Sequence, residues 1–119
     1  DRFKAINDQL GHAAGDRVLV GCVLAARQCL RAHDLLFRWG GDEFLVLLPE
    51  TTADEAAALG ERLRQAIAAT VIAADLPGVT ASVGVAATWA GRASADDLLR
   101  RADDAVYRAK SRGRNQVVA

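Results

Sequence analysis

Along the chain, stretches with apolar residues every three to four positions alternate with short runs rich in β-branched and aromatic residues. Phe3 to about Gly11 reads as a short helix, and Gly11 through Asp16 breaks it, with Asp16 able to cap the helix that follows. Val18, Leu19, Cys22, Val23, Leu24, Cys29 and Leu30 then recur at helical spacing up to Arg31 and predict a wide buried face. Two β-like runs, Asp34 to Trp39 and Glu43 to Leu48, flank Gly40-Gly41-Asp42, a turn that closes a hairpin; Pro49 ends the second run. Thr52-Ala53-Asp54-Glu55 reads as a capping box opening a third helix, Ala53 to about Ala69, with Ala57, Leu59, Leu63 and Ile67 among its apolar positions. After Pro77-Gly78, Val79 to Ala86 reads as a strand. Ser94-Ala95-Asp96-Asp97 caps a fourth helix that reaches about Ser111 and is expected to bury Leu98, Leu99, Ala102, Val106 and Ala109. Gly113 stops it, and Gln116-Val117-Val118 can form a last strand. The order α-α-β-β-α-β-α-β, with one hairpin, predicts an α+β fold in which helices cover one or both faces of a mainly antiparallel sheet.

The chain has 119 residues, 51% of them hydrophobic and 25% charged, enough for one domain with a single core and no need of disulfides or a structural metal. Its 15 basic and 15 acidic residues cancel and no block of like charge stands out, so a nucleic-acid-binding stripe has no support. No apolar run approaches the ~20 residues of a membrane span, so direct membrane insertion is not expected. Cys22 and Cys29 sit in one helical stretch with backbones roughly 10 Å apart, too far to bridge. They read as free, buried structural thiols suited to a reducing cytoplasm. His12 and His33 are isolated, and no Cys/His pair has zinc-ligand spacing. With no initiator methionine and no signal-like start, Asp1 reads as a cut inside a longer polypeptide.

Four places carry residue types that could do chemistry, each with an ordinary structural reading beside the functional one. At the hairpin tip Asp42 and Glu43 pair two carboxylates, a donor set for a hard divalent cation, where Gly40 and Gly41 allow close approach; a solvated turn is the plain alternative. The helix beginning near Phe3 offers free N–H groups, Lys4 a point charge, and Asn7 a donor and an acceptor that can read a base edge; an amphipathic helix start capped by Asp1 is the alternative. Lys110 to Asn115 gathers cations where a helix ends, which either satisfies the helix dipole or clamps a polyphosphate. Arg31 and Asp34 either pair as a surface ion bridge or read guanine, the fork against O6 and N7 and the carboxylate against the ring N–H and amino group.

Taken together these segments resemble the GGDEF family of diguanylate cyclases over essentially the whole chain. Gly40-Gly41-Asp42-Glu43-Phe44 is the intact signature, and Phe3 to Asp8 with Gly11-His12 and Gly15-Asp16 is similar to the family's first motif. Ser82-Val83-Gly84-Val85 and Ala109-Lys110 through Gly113-Arg114-Asn115 resemble its later ones. The resemblance implies a cytoplasmic output module with the palm-like nucleotidyl cyclase fold, driven by an upstream regulatory domain. Its activity would be to condense two GTP into cyclic di-GMP and two pyrophosphates at a homodimer interface, with Mg²⁺ or Mn²⁺ as cofactor.

Carried over by position, the resemblance makes Asp42 the metal-binding carboxylate and candidate base toward the 3′-hydroxyl, with Glu43 as the second metal ligand. Asn7 and Asp16 match the guanine-reading pair, and an aspartate rather than serine at 16 implies GTP for both substrates. Phe3 and Lys4 match the phosphate cradle, Gly40 and Gly41 the substrate-approach turn, and Lys110 and Arg114 the phosphate cations. Arg31-x-x-Asp34, five residues before Gly40, matches the product-inhibition motif that binds cyclic di-GMP away from the catalytic face, with Arg62 as a secondary arginine. One departure stands out: family members carry a further metal-binding aspartate two residues before the position of Asp1, on a strand this sequence does not include. A domain truncated there is expected to be inactive. The alternative function is a GGDEF module that binds cyclic di-GMP or GTP as a receptor without catalysis.

Overall fold

In the computed structural model, which describes residues 1–70, 76 and 78–119, the chain starts with helix α1 (Phe3–Leu10) and turns at once into α2 (His12–Cys29). The turn is a single residue. Gly11 adopts φ 90°, and its N–H donates to Asn7 O at 2.9 Å. A side chain would resist that conformation, so glycine alone makes the reversal and frees 12–15 to be helical. Asp16 therefore lies inside α2 and does not cap it, which corrects the expected break from Gly11 to Asp16. The helices touch at Gly15, where a Cβ would stand 1.8 Å from Asn7 Oδ1.

Strands β1 (Leu35–Arg38) and β2 (Phe44–Leu47) form the expected antiparallel hairpin, in register Leu35↔Leu47 through Arg38↔Phe44. Its inward residues Leu36 and Val46 pack with Leu48 against buried Ala26 of α2 and Leu59 and Leu63 of α3. Helix α3 (Ala53–Ala69) begins with the expected capping box: Thr52 Oγ1 accepts from Glu55 N at 3.2 Å, and Glu55 carboxylate from Thr52 N at 2.9 Å. Helix α4 (Ala95–Ser111) is capped by Ser94 Oγ, which accepts from Asp97 N at 3.1 Å.

The strand expected over Val79 to Ala86 contracts to β3 (Val83–Gly84), paired in parallel with β4 (Val117–Val118); Pro77, expected just before it, lies outside the described residues. The pairing is parallel because α4 is the crossover between the two strands. Gly84 lets α4 lie directly on the sheet, since a Cβ there would meet Ala102 O at 2.3 Å. Gly60 does the same for α3, with Val117 and Val83 methyls 3.2 and 3.3 Å from a would-be Cβ. So narrow a sheet covers little of α4: Ala105 and Ala109 are fully buried, whereas Leu98, Leu99, Ala102 and Val106 are only half-buried, contrary to expectation. Likewise Leu24 of α2 is exposed, and Cys22 and Cys29 are free but half-buried. Among the described residues no helix is long and apolar enough to cross a membrane.

Candidate nucleotide site

The hairpin tip is held by its own backbone and by one side chain the sequence reading passed over. Trp39 and Gly40 N–H both donate to Glu43 O, at 2.8 and 3.2 Å. The Arg38 guanidinium reaches round the turn, its Nε donating to Gly40 O at 3.3 Å and its Nη2 to Gly41 O at 2.7 Å. Carbonyls of a turn need partners, and a cation two residues before a double glycine was the available signal. Neither Gly40 nor Gly41 has positive φ, and a Cβ on Gly41 would meet nothing within 4 Å. The turn conformation therefore does not demand these glycines; the open space above Gly41 suits close approach of a ligand. Asp42 and Glu43 stand exposed at this tip.

Helix α1 starts at Phe3 with Arg2 at its N-cap in the left-handed region (φ 59°), and no side chain caps its first N–H groups. Phe3 packs its ring against buried Ile6, Val18 and Val79, while Lys4 is exposed. Asn7 Oδ1 is buried with no hydrogen-bond partner. Such an acceptor costs about 1–3 kcal/mol unless a donor reaches it, so the atom marks a place for one. Exposed Asp16 follows Gly15, the residue whose missing side chain makes room for Asn7.

Asp1 ties this helix start to the far end of the chain. Its carboxylate accepts from Thr80 Oγ1 at 2.8 Å, Ser82 Oγ at 2.7 Å and Asn115 N at 3.2 Å, which commits it to structure. Asp42, Lys110 and Arg114 lie within electrostatic reach of Asp1, beside the start of α1. Arg114 also lines a cleft of about 450 Å³ with Asp1, Arg2, Thr80 and Gly113. Among the described residues no three His, Cys, Asp or Glu side chains cluster as a metal cage. Asp42 and Glu43 do fit a Mg²⁺ ion bound through one or two carboxylates with phosphate oxygens completing its shell.

Arg31 and Asp34 form a separate constellation at the end of α2. Asp34 Oδ2 accepts from Arg31 N at 2.8 Å and Nε at 3.2 Å, and Oδ1 from Nη2 at 3.1 Å. Arg31 also donates to Thr51 Oγ1. The Arg31 hydrogen bonds hold the buried Asp34 carboxyl below the usual carboxylate range. Together with Arg27, Leu30, Ala32 and Leu35 they line a cleft of about 390 Å³. Arg62, exposed on α3, is not part of that lining.

A family model described as diguanylate cyclase, GGDEF domain, matches residues 1–116. Diguanylate cyclase DgcM of Escherichia coli K12 is 50% identical over 119 residues, covering 100% of this chain and 28% of that protein. Response regulator PleD of Caulobacter vibrioides is 41% identical over 122 residues, covering 99% of this chain and 27% of PleD. The chain thus spans little more than a quarter of these relatives. The active GGEEF domain of a diguanylate cyclase from Vibrio cholerae superposes with a TM-score of 0.91 at 35% identity, covering 99% of this chain and 76% of that one. The GGDEF domain of DgcB from Caulobacter crescentus, solved in complex with c-di-GMP, gives 0.90 at 29% identity, with 100% and 72% covered. With this match along nearly its whole length, the chain belongs to the diguanylate cyclase GGDEF domain family and has its palm-like fold.

Proposed function

We propose that the domain is one half of a diguanylate cyclase, which joins two GTP into cyclic di-GMP with release of two pyrophosphates where two copies meet face to face. The observation that carries this reading is the buried, unpartnered Asn7 Oδ1 packed against Gly15, an acceptor waiting for a donor such as a guanine edge. In the reading, Asn7 and Asp16 hold the base, and Phe3 and Lys4 N–H groups at the α1 start, with Lys110 and Arg114, hold the phosphates. The 3′-oxygen of one GTP bonds to the α-phosphorus of the other as the bond to the pyrophosphate oxygen breaks. Asp42 accepts the 3′-hydroxyl proton; in this reading Gly40 and Gly41 form the turn the substrate approaches, with open space above Gly41. A divalent cation held by Asp42 and Glu43 would supply positive charge against the phosphate oxygens.

Cyclic di-GMP would bind at the second constellation, Arg31 and Asp34, with Arg62 contributing from α3, and inhibit its own synthesis. Inhibition from there suits an output module governed by an upstream regulatory domain. Free thiols at Cys22 and Cys29 suit a cytoplasmic location. The test is to incubate the full-length protein that carries this domain with GTP and Mg²⁺ at rising protein concentration and separate the products by chromatography. Cyclic di-GMP rising more steeply than protein concentration is expected. Binding of cyclic di-GMP without any synthesis would make the domain a receptor instead.

A further inference from the structure

Arg64, on the half-buried side of α3, makes more contacts than a helix-surface ion pair needs. Its Nε and Nη2 donate to both carboxylate oxygens of Glu61, at 2.9 and 2.6 Å. The remaining arm, Nη1, donates at 2.8 Å to Asn115 Oδ1, a residue 51 positions along the chain. Its side chain is only 20% exposed. Asn115 is the last residue of a turn with three successive positive φ values, 112° at Gly113, 64° at Arg114 and 47° at Asn115. Arg114 is neither glycine nor asparagine, and left-handed backbone at such a residue persists only where the surroundings enforce it. The enforcing bonds come from three sides. Arg114 N donates to Ala109 O at 2.9 Å, Asn115 N donates to Asp1 Oδ2 at 3.2 Å, and Arg64 holds the Asn115 side chain.

We infer that Arg64 is a positioning residue for substrate: through Asn115 it fixes the turn that aims the Arg114 guanidinium at a nucleoside triphosphate. The inference rests on the proposed reading of Arg114 as a phosphate-binding cation. A planar guanidinium suits this role because one fork spans a carboxylate while its third edge reaches a second partner; a lysine cannot serve both. Glu61, in turn, is kept ionised by Arg64 and also accepts from Gln65 Nε2 at 3.0 Å, so the fork has a fixed base. A cation held on a supported turn binds phosphate with less ordering left to do at the moment of binding.

The test compares two probes on the full chain by calorimetry with Mg²⁺: 3′-deoxy-GTP, which cannot react because it lacks the attacking hydroxyl, and 3′-deoxyguanosine, which lacks phosphates. Arg64→Ala is expected to weaken the triphosphate about tenfold, the scale of one lost hydrogen bond to a charged group, and to leave the nucleoside unchanged. Arg64→Lys, which retains the charge and the fold, should weaken the triphosphate in the same direction. Equal losses for both probes would mean that Arg64 only supports the fold, and no loss for either would remove the tether altogether; both results overturn the inference. Arg114→Ala separates the two layers. If it leaves triphosphate affinity intact, the phosphate reading itself fails; if it weakens binding while the Arg64 variants do not, only the positioning role fails.

Discussion

Gly15 and Asn7 are fitted to each other: a Cβ on the glycine would stand 1.8 Å from the Oδ1 of the asparagine, the buried acceptor that has no partner. The close contact of α1 with α2 therefore sets where the Asn7 amide can lie. Gly15→Ala is expected to displace that amide and to destabilise the fold by about 1–3 kcal/mol, the range for overpacking. Guanine nucleotide affinity should fall further than the stability loss explains. Thermal unfolding and nucleotide titration of the same variant check both; an unchanged affinity would remove Asn7 from the base site.

Asp42 stands at the exposed hairpin tip and Asp34 is buried at the end of α2, and each has its own surroundings. Asp42→Ala is expected to lower turnover by about 10²–10⁴-fold, the span for a lost general base. Cyclic di-GMP binding should persist, measured by calorimetry on the same sample. Simultaneous loss of both properties would mean that one site serves substrate and product.

Arg31→Ala removes every side-chain bond that holds Asp34 ionised. Inhibition by cyclic di-GMP should weaken by about tenfold or more, as for a charge-assisted contact, with uninhibited turnover retained. The Asp34 pKa should rise toward or above the ordinary carboxylate value, because burial then acts with less opposition. An inhibition curve that superposes on that of the unaltered protein would separate Arg31 from product control.

What the sequence made legible was local. Thr52 and Glu55 lie three residues apart and cap each other, so their pattern needs no tertiary information. The hairpin was equally readable, because Gly40-Gly41-Asp42 sits between two apolar runs. Asp16 misled because it has a capping residue's chemistry, whereas the reversal was already made by Gly11. Leu98 and Leu99 misled differently: helical spacing shows which face is apolar but not how wide a sheet lies beneath it. The placement of Arg114 was hidden for a third reason. It depends on Arg64 and Asp1, which only the folded chain brings to Asn115.

Glu61 gives the domain an acid-sensitive contact on the same α3 that carries Arg64. The Arg64 hydrogen bonds lower its pKa from 4.5 to about 2. Between those values the unfolded chain binds the proton that the folded chain refuses, so stability must rise with pH through that window. The contribution is complete above about pH 4.5 and fades as pH falls toward about 2. Glu61→Gln cannot ionise and should lack this term. Its Tm should lie below that of the unaltered protein by a constant gap near neutrality, and the gap should narrow as the buffer is taken below pH 4.5. Because Arg64 loses its fixed base in the same variant, triphosphate affinity should drop in parallel at neutral pH. A gap independent of pH would mean that Glu61 is not held ionised by Arg64, and the tether to Asn115 would then have to stand without it.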